Sequence, residues 1–198
     1  RLTSFLLESI EHGCEGLMLK TLNARYEPGK RADSWLKLKK DYIDGMSDSL
    51  DLVPIGAWHG NGRKAGWYSP YLCAVYDKDT QEFQSVCRVL SGFTDAFYQQ
   101  SYNELQEDIV PQRPHYYSTG EQCSIWFLPK RVWEIKGADF TISPVHMAAQ
   151  GRVHPERGLS MRFPRFVQVR LDKQVEDASS PDDILNLFNK QTNKWEPT

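Results

Sequence analysis

The first ten residues place apolar side chains at Leu2, Phe5, Leu6 and Ile10, the three-and-four spacing of one helix face, and His12-Gly13 ends the run. Two strand-like runs follow, residues 15–22 (EGLMLKTL) and 34–40 (SWLKLKK), separated by a polar connection through Pro28-Gly29-Lys30-Arg31. With a period of two, Trp35, Lys37 and Lys39 face one way and Leu36 and Leu38 the other. The second strand is therefore expected to offer two ammonium groups over a packed apolar back. The acidic, Ser/Gly-containing stretch from Asp41 to Asp51 breaks the pattern and sets the expected domain boundary, between 1–41 and 42–198.

From Leu52 onward short runs alternate with turns: LVPIGAW, GWYSPYLCAVYD, EFQSVCRVL, VWEIKGADFTIS and RFPRFVQVR. Such a series predicts a small barrel or sandwich. Phe97, Tyr98, Tyr102 and Leu105 recur at helical spacing within residues 94–107 and predict a helix inserted between strands. Another begins at Ser180-Pro181-Asp182-Asp183, where a serine cap, a proline in the first turn and early acids complement a helix start. Its Ile184, Leu185, Leu187 and Phe188 are expected to dock on the barrel. The class is mainly β with α insertions, without internal repeats or low-complexity segments.

The 198 residues are 40% hydrophobic, enough for a core. A net charge of -2 and a pI near 6.2 give no global attraction to nucleic acid, so such contact must come from local basic surfaces. Cys14, Cys73, Cys87 and Cys123 form no Cys-x-x-Cys pair, which argues against zinc and a disulfide framework and for reduced thiols inside a cell. His12, His59, His115, His146 and His154 lack metal-ligand spacing. No apolar run approaches the roughly 18 to 20 residues of a membrane span, and no signal peptide opens the chain, so the expectation is a soluble protein with no membrane partner. The start at Arg1, directly into a helix, reads as the interior of a longer chain.

Two lysines on a strand face with a glutamate on the neighbouring strand suit a phosphate and a hard metal ion. A solvated, lysine-rich edge strand is the plain alternative. In the loop Gly60-Asn61-Gly62-Arg63-Lys64-Ala65-Gly66, glycines permit close backbone approach while Arg63 and Lys64 supply phosphate contacts. An ordinary hairpin turn is the alternative there.

EGLMLK at 15–20 followed by SWLKLKKDY at 34–42 resembles the fourth and fifth motifs of covalent nucleotidyltransferases, in the form found in ATP-dependent DNA ligases of the eukaryotic DNA ligase I type. DLVPIGAWHGNGRKAGWYSPYLCAVYD, VWEIKGADFTISPVH and LSMRFPRFVQVRLDK resemble the OB-domain segments and sixth motif of that family, in the same order. The resemblance covers nearly the whole chain. It implies that residues 1–41 end an α+β nucleotidyltransferase (ATP-grasp-like) domain and that 42–198 form an OB-fold β-barrel with a C-terminal helix.

The resemblance also implies roles. Glu15 matches a glutamate near the nucleotide that helps bind catalytic Mg²⁺, and Lys20 is a further phosphate contact or a solvated strand residue. Lys37 and Lys39 match lysines that contact the adenylate phosphate, while Trp35 on their face reads as a packing anchor. Arg162 and Arg165 belong to a mobile OB domain whose cations assist the leaving pyrophosphate of ATP and whose opposite orientation engages DNA. Phe163 either presses into the minor groove at a nick or joins the core. Arg63, Lys64, Arg162 and Phe163 are thus the expected DNA contacts.

For the parent protein the resemblance implies ATP as AMP donor, Mg²⁺, nicked double-stranded DNA, an upstream part of the same chain, a monomer, and nuclear replication, repair and recombination. The family nucleophile lies in a Lys-x-Asp-Gly motif, which is absent here; Asp44-Gly45 lacks the lysine. Self-adenylylation is therefore not expected of these residues alone. Competing readings are a non-catalytic OB-fold DNA-binding module, an RNA-capping guanylyltransferase or RNA ligase, and a plain antiparallel β domain.

Overall fold

The computed structural model describes residues 1–40 and 48–191. The chain divides into two compact units, Arg1–Ser47 and Asp48–Thr198. The boundary expected after Asp41 lies outside the described residues. Among the described residues no helix is long and apolar enough to cross a membrane.

In the first unit, α1 (Leu2–Glu11) closes at His12 and Gly13, whose φ of 76° suits glycine. An antiparallel hairpin of β1 (Gly16–Lys20) and β2 (Trp35–Lys39) follows, with Gly16 opposite Lys39, Met18 opposite Lys37 and Lys20 opposite Trp35. Opposed residues share a sheet face, so Lys20, Trp35, Lys37 and Lys39 stand together and Leu17, Leu19, Leu36 and Leu38 lie behind. That back is partly packed: Leu17, Leu19 and Leu38 are half-buried, whereas Leu36 is 59% exposed, and Leu6 is the buried residue of α1 while Phe5 is 59% exposed. One short helix and two strands enclose too little volume to cover a sheet face.

The second unit is built around β3 (Ser49–His59), β4 (Tyr68–Asp77) and β5 (Glu82–Val89). β3 starts within the stretch read as an acidic break, and its Leu50 is buried. The first half of β3 pairs with β9 (Trp133–Lys136), and the second with β4 and with β8 (Ile125–Phe127). The β3–β4 register shifts between Pro54 and Gly56, where a bulge lets one strand serve both sides of a curled half-barrel. The sheet order is β12-β9-β3-β4-β5-β7, with β7 spanning Tyr117–Ser118 and β12 Arg165–Val169. β8 also pairs with β6 (Ile109–Val110).

Two runs read as single strands are each divided. VWEIKGADFTIS splits into β9 and β10 (Asp139–Ser143), which belong to different sheets. Gly137 lies between them, and a Cβ there would stand 2.3 Å from Met161 Cγ. RFPRFVQVR splits because Arg162 ends β11 (Gly158–Arg162), the partner of β10, and β12 begins at Arg165. Phe163 at φ 52° and Pro164, which has no N–H to donate, interrupt the strand.

α2 (Asp95–Leu105) is capped by Thr94, whose hydroxyl accepts the Phe97 N–H at 3.1 Å, and it buries Tyr98 and Leu105. α3 (Pro181–Lys190) opens with a reciprocal Ser180–Asp183 capping box and buries Ile184 and Phe188. Both helices occur as the sequence predicts. The core centres on Trp133, which meets Tyr71, Phe93, Phe97 and Phe166 edge-on at 5.0 to 5.7 Å between ring centroids. Such arrangements favour aromatic quadrupoles and tie β9, β4, α2 and β12 together.

Candidate functional site

Gly16 fixes the geometry of the first unit's site. Its φ is +146°, and a Cβ would lie 2.1 Å from the Leu38 carbonyl oxygen, so only glycine lets β1 start this close to β2. The preceding Glu15 is thereby set beside Lys39, with Oε2 3.3 Å from Nζ. The Lys39 side chain is only 18% exposed, whereas Glu15 is about half exposed. Lys37 lies two residues along, roughly 7 Å at strand spacing, and is exposed. Lys20 places its ammonium 4.1 Å from the centroid of the Trp35 ring, and Tyr26 packs on that ring at 5.6 Å. Trp35 is thus a packing anchor.

Glu15, Lys20, Lys37 and Lys39 are therefore brought to one hairpin. A row of ammonium groups ending at a carboxylate can hold phosphate oxygens and stabilise charge developing on them. Mg²⁺ is commonly held by one or two carboxylates together with waters and substrate phosphates, and a half-exposed Glu15 beside phosphate-binding lysines fits that donor set. Among the described residues no group of three or more His, Cys, Asp or Glu is placed to hold a metal ion. Glu15 would accordingly hold the ion only with phosphate oxygens completing its shell.

In the second unit, the turn from Arg162 to Arg165 is built onto the core. Phe166 is buried and stacks on Phe93 at 4.7 Å, while Phe163 is 50% exposed. The core phenylalanine of this segment is Phe166, leaving Phe163 at the surface. Ser91 braces the turn by donating its hydroxyl to the Pro164 carbonyl at 2.9 Å and accepting the Phe166 N–H on its backbone carbonyl at 2.9 Å. Gly92 admits this approach, since a Cβ there would stand 2.2 Å from the Phe166 carbonyl oxygen. Arg162 donates to Asp139 at 3.0 Å, directly across the β10–β11 ribbon, and its guanidinium lies 5.0 Å from the Phe163 ring centroid. Arg165 is exposed.

The basic loop separates its two cations. Arg63 is 80% exposed, with Asp95 3.8 Å away. Lys64 turns inward and donates to the Leu90 carbonyl at 2.6 Å, the Tyr98 hydroxyl at 2.8 Å and the Ser69 hydroxyl at 3.4 Å. An ammonium has three donors, and these contacts occupy them. Lys64 therefore fastens the loop to the α2 region, and the DNA contact expected of it does not fit its direction. Sequence spacing carries the charge of a side chain but not where its tip lands.

Sequence reasoning also missed the braces Ser91 and Gly92 and a buried polar cluster. His146 Nδ1 lies 3.2 Å from Ser85 Oγ, and its Nε2 lies 3.8 Å from Glu121, which receives two guanidinium donors from Arg88. Burial pushes the His146 pKa down to about 4, opposed by Glu121 and reinforced by Arg88. Ser85 is fully buried, so the group acts as a brace between β5 and two distant segments. No local spacing links residues 85, 88, 121 and 146.

Comparison with known proteins gives two family matches. Residues 64–173 match "ATP dependent DNA ligase C terminal region", and residues 1–39 match "ATP dependent DNA ligase domain". DNA ligase 6 of Arabidopsis thaliana is 56% identical over 201 residues, covering 100% of this chain and 14% of that protein. DNA ligase 1 of the same plant is 49% identical, over 94% of this chain and 24% of its own length. DNA ligase 1 of Saccharomyces cerevisiae is 41% identical, over 96% and 26%. The chain thus spans between about a seventh and a quarter of these relatives. Among solved structures, the ligase domain of M. tuberculosis LigD aligns with a TM-score of 0.53 at 20% identity, over 89% of this chain and 51% of that one. The likeness is one of fold, mainly β with a nucleotidyltransferase end and an OB-type barrel.

Proposed function

Because this chain belongs to the ATP-dependent DNA ligase family, we propose that it is the C-terminal part of an enzyme that seals nicks in duplex DNA. Residues 1–41 then end the adenylation domain and 42–198 form the OB domain. The observation that carries this reading is the shared face of Lys20, Lys37 and Lys39 with Glu15 at its edge.

The reaction proposed for the parent has three steps: adenylation of an enzyme lysine by ATP, transfer of AMP to the 5′-phosphate of a nick, and attack by the 3′-hydroxyl with release of AMP. Here Lys37 and Lys39 hold the adenylate phosphate, and their fixed charge favours the transition state over the ground state. Neither is the nucleophile. Glu15 would hold Mg²⁺ together with phosphate oxygens, and the ion would supply neutralisation of phosphate charge. Arg162 and Arg165 supply cations toward the leaving pyrophosphate, and exposed Phe163 with Arg63 contacts DNA. The enzyme acts as a monomer in the nucleus, in replication, repair and recombination.

The test uses the whole protein carrying this chain, with Mg²⁺, on nicked duplex DNA and nicked RNA with ATP, and on diphosphate-ended RNA with GTP. Sealing of DNA with one AMP released per joint supports the reading. Reaction confined to RNA turns it toward capping or RNA ligation, and DNA binding without AMP release turns it toward a binding module.

A further inference from the structure

The loop joining β1 to β2 is not used by the reading above. Between Lys20 and Trp35 the chain carries three cations, Arg25, Lys30 and Arg31, against Glu27 and Asp33, in a protein whose net charge is -2. The loop is a built feature. Thr21 N–H donates to the Ser34 carbonyl at 3.0 Å, Trp35 N–H donates to that of Ala32 at 3.1 Å, and Tyr26 lays its ring against Trp35. Lys30 pairs locally with Glu27 at 3.4 Å, whereas Arg25 and Arg31 are exposed.

We propose that this loop binds the sugar–phosphate backbone of duplex DNA through Arg25 and Arg31, on the Tyr26–Trp35 scaffold. The inference rests on the ligase reading and extends its DNA contact to a segment that reading leaves idle. Distance separates this task from holding the adenylate. Lys39 and Trp35 are four strand residues apart, roughly 13 Å, and the loop begins beyond Trp35. One adenylate phosphate cannot occupy both ends. A DNA strand can, because it presents a negative charge about every 3.4 Å of helix axis. Lys39, Lys37, Lys20 and the loop arginines would then form one continuous track of positive charge, while Trp35, seating both Lys20 and Tyr26, joins its two halves. Arginine suits phosphate because its planar fork donates two parallel hydrogen bonds.

The test compares the whole ligase with its R25A/R31A and R25K/R31K variants, measuring nicked-DNA affinity across a salt series and self-adenylation with ATP. Each lost phosphate contact lowers the salt slope by about 0.9, so the alanine variant should lose about 1.8 and the lysine variant should retain the slope. Both should adenylate at the wild-type rate. An unchanged slope in the alanine variant, or loss of adenylation in it, overturns the proposal; the latter would assign the arginines to the nucleotide. Sealing by the wild-type protein is measured first on the same DNA. Its absence counts against the ligase reading, whereas normal sealing with an unchanged slope counts against the loop alone.

Discussion

The lysine face of the first unit and the arginine–phenylalanine turn of the second present the same sign of charge on opposite kinds of scaffold. The lysines stand on a hairpin whose rear Leu36 is 59% exposed, beside a helix with one buried residue. The turn is braced by Ser91 and Gly92 and rooted through Phe166 in a cluster of aromatic rings. Strand register alone places the first set, since period two fixes which side chains share a face. Tertiary packing places the second. Substitutions on the hairpin face should therefore cost chemistry, and substitutions beneath the turn should cost folding.

The largest stability effect tests the second half of that contrast. Trp133→Ala removes the ring shared by β9, β4, α2 and β12 and should destabilise the second unit by about 3–5 kcal/mol, read from urea unfolding. A midpoint shift worth less than about 1 kcal/mol would break the contrast. The buried histidine gives the next effect. Burial lowers the folded His146 pKa to about 4, below the 6.5 of an ordinary histidine. The depressed value makes its contribution fully present above pH 6.5 and lost as pH falls toward 4, about 3 kcal/mol in all. Unfolding measured from pH 7 to pH 4 should show this decline, and His146→Gln should flatten it; equal slopes would remove the histidine from the account.

Smaller effects sharpen the comparison inside the basic loop. Lys64→Met removes the hydrogen bonds to the Leu90 carbonyl and the Tyr98 hydroxyl and should cost about 1 kcal/mol of stability. Arg63→Met should leave stability within about 0.5 kcal/mol and lower the salt slope of DNA binding by about 0.9. Interchanged results would reverse the roles assigned to these neighbours. Phe163→Ala should also be mild for folding, under about 1 kcal/mol for a half-exposed ring, yet weaken binding to nicked DNA. Unaltered nick affinity would leave Phe163 without a task.

What the sequence makes legible follows the same division. Alternation gives β1 and β2 and the shared face of Lys37 and Lys39, and the capping pattern gives α3. Motif strings bring in Glu15 and the arginines through resemblance. The two- and three-residue strands β6, β7 and β8 are too short to leave a period. Whether Phe163 or Phe166 enters the core depends on a single left-handed residue that resets the alternation. Lys64 looks identical to a surface cation until the Leu90 carbonyl and Tyr98 hydroxyl, 26 and 34 residues away, are placed beneath it. The braces come from such distant pairs, which local pattern does not encode.

The most direct measurement is single-turnover nick sealing by the whole protein with Lys37→Ala or Lys39→Ala. Loss of a positioned donor to a charged transition state costs roughly 10²–10³ in rate, so each variant should seal at least about a hundredfold more slowly while the second unit unfolds at its wild-type midpoint. Wild-type turnover in both variants would contradict the assignment of the lysine face to the adenylate phosphate.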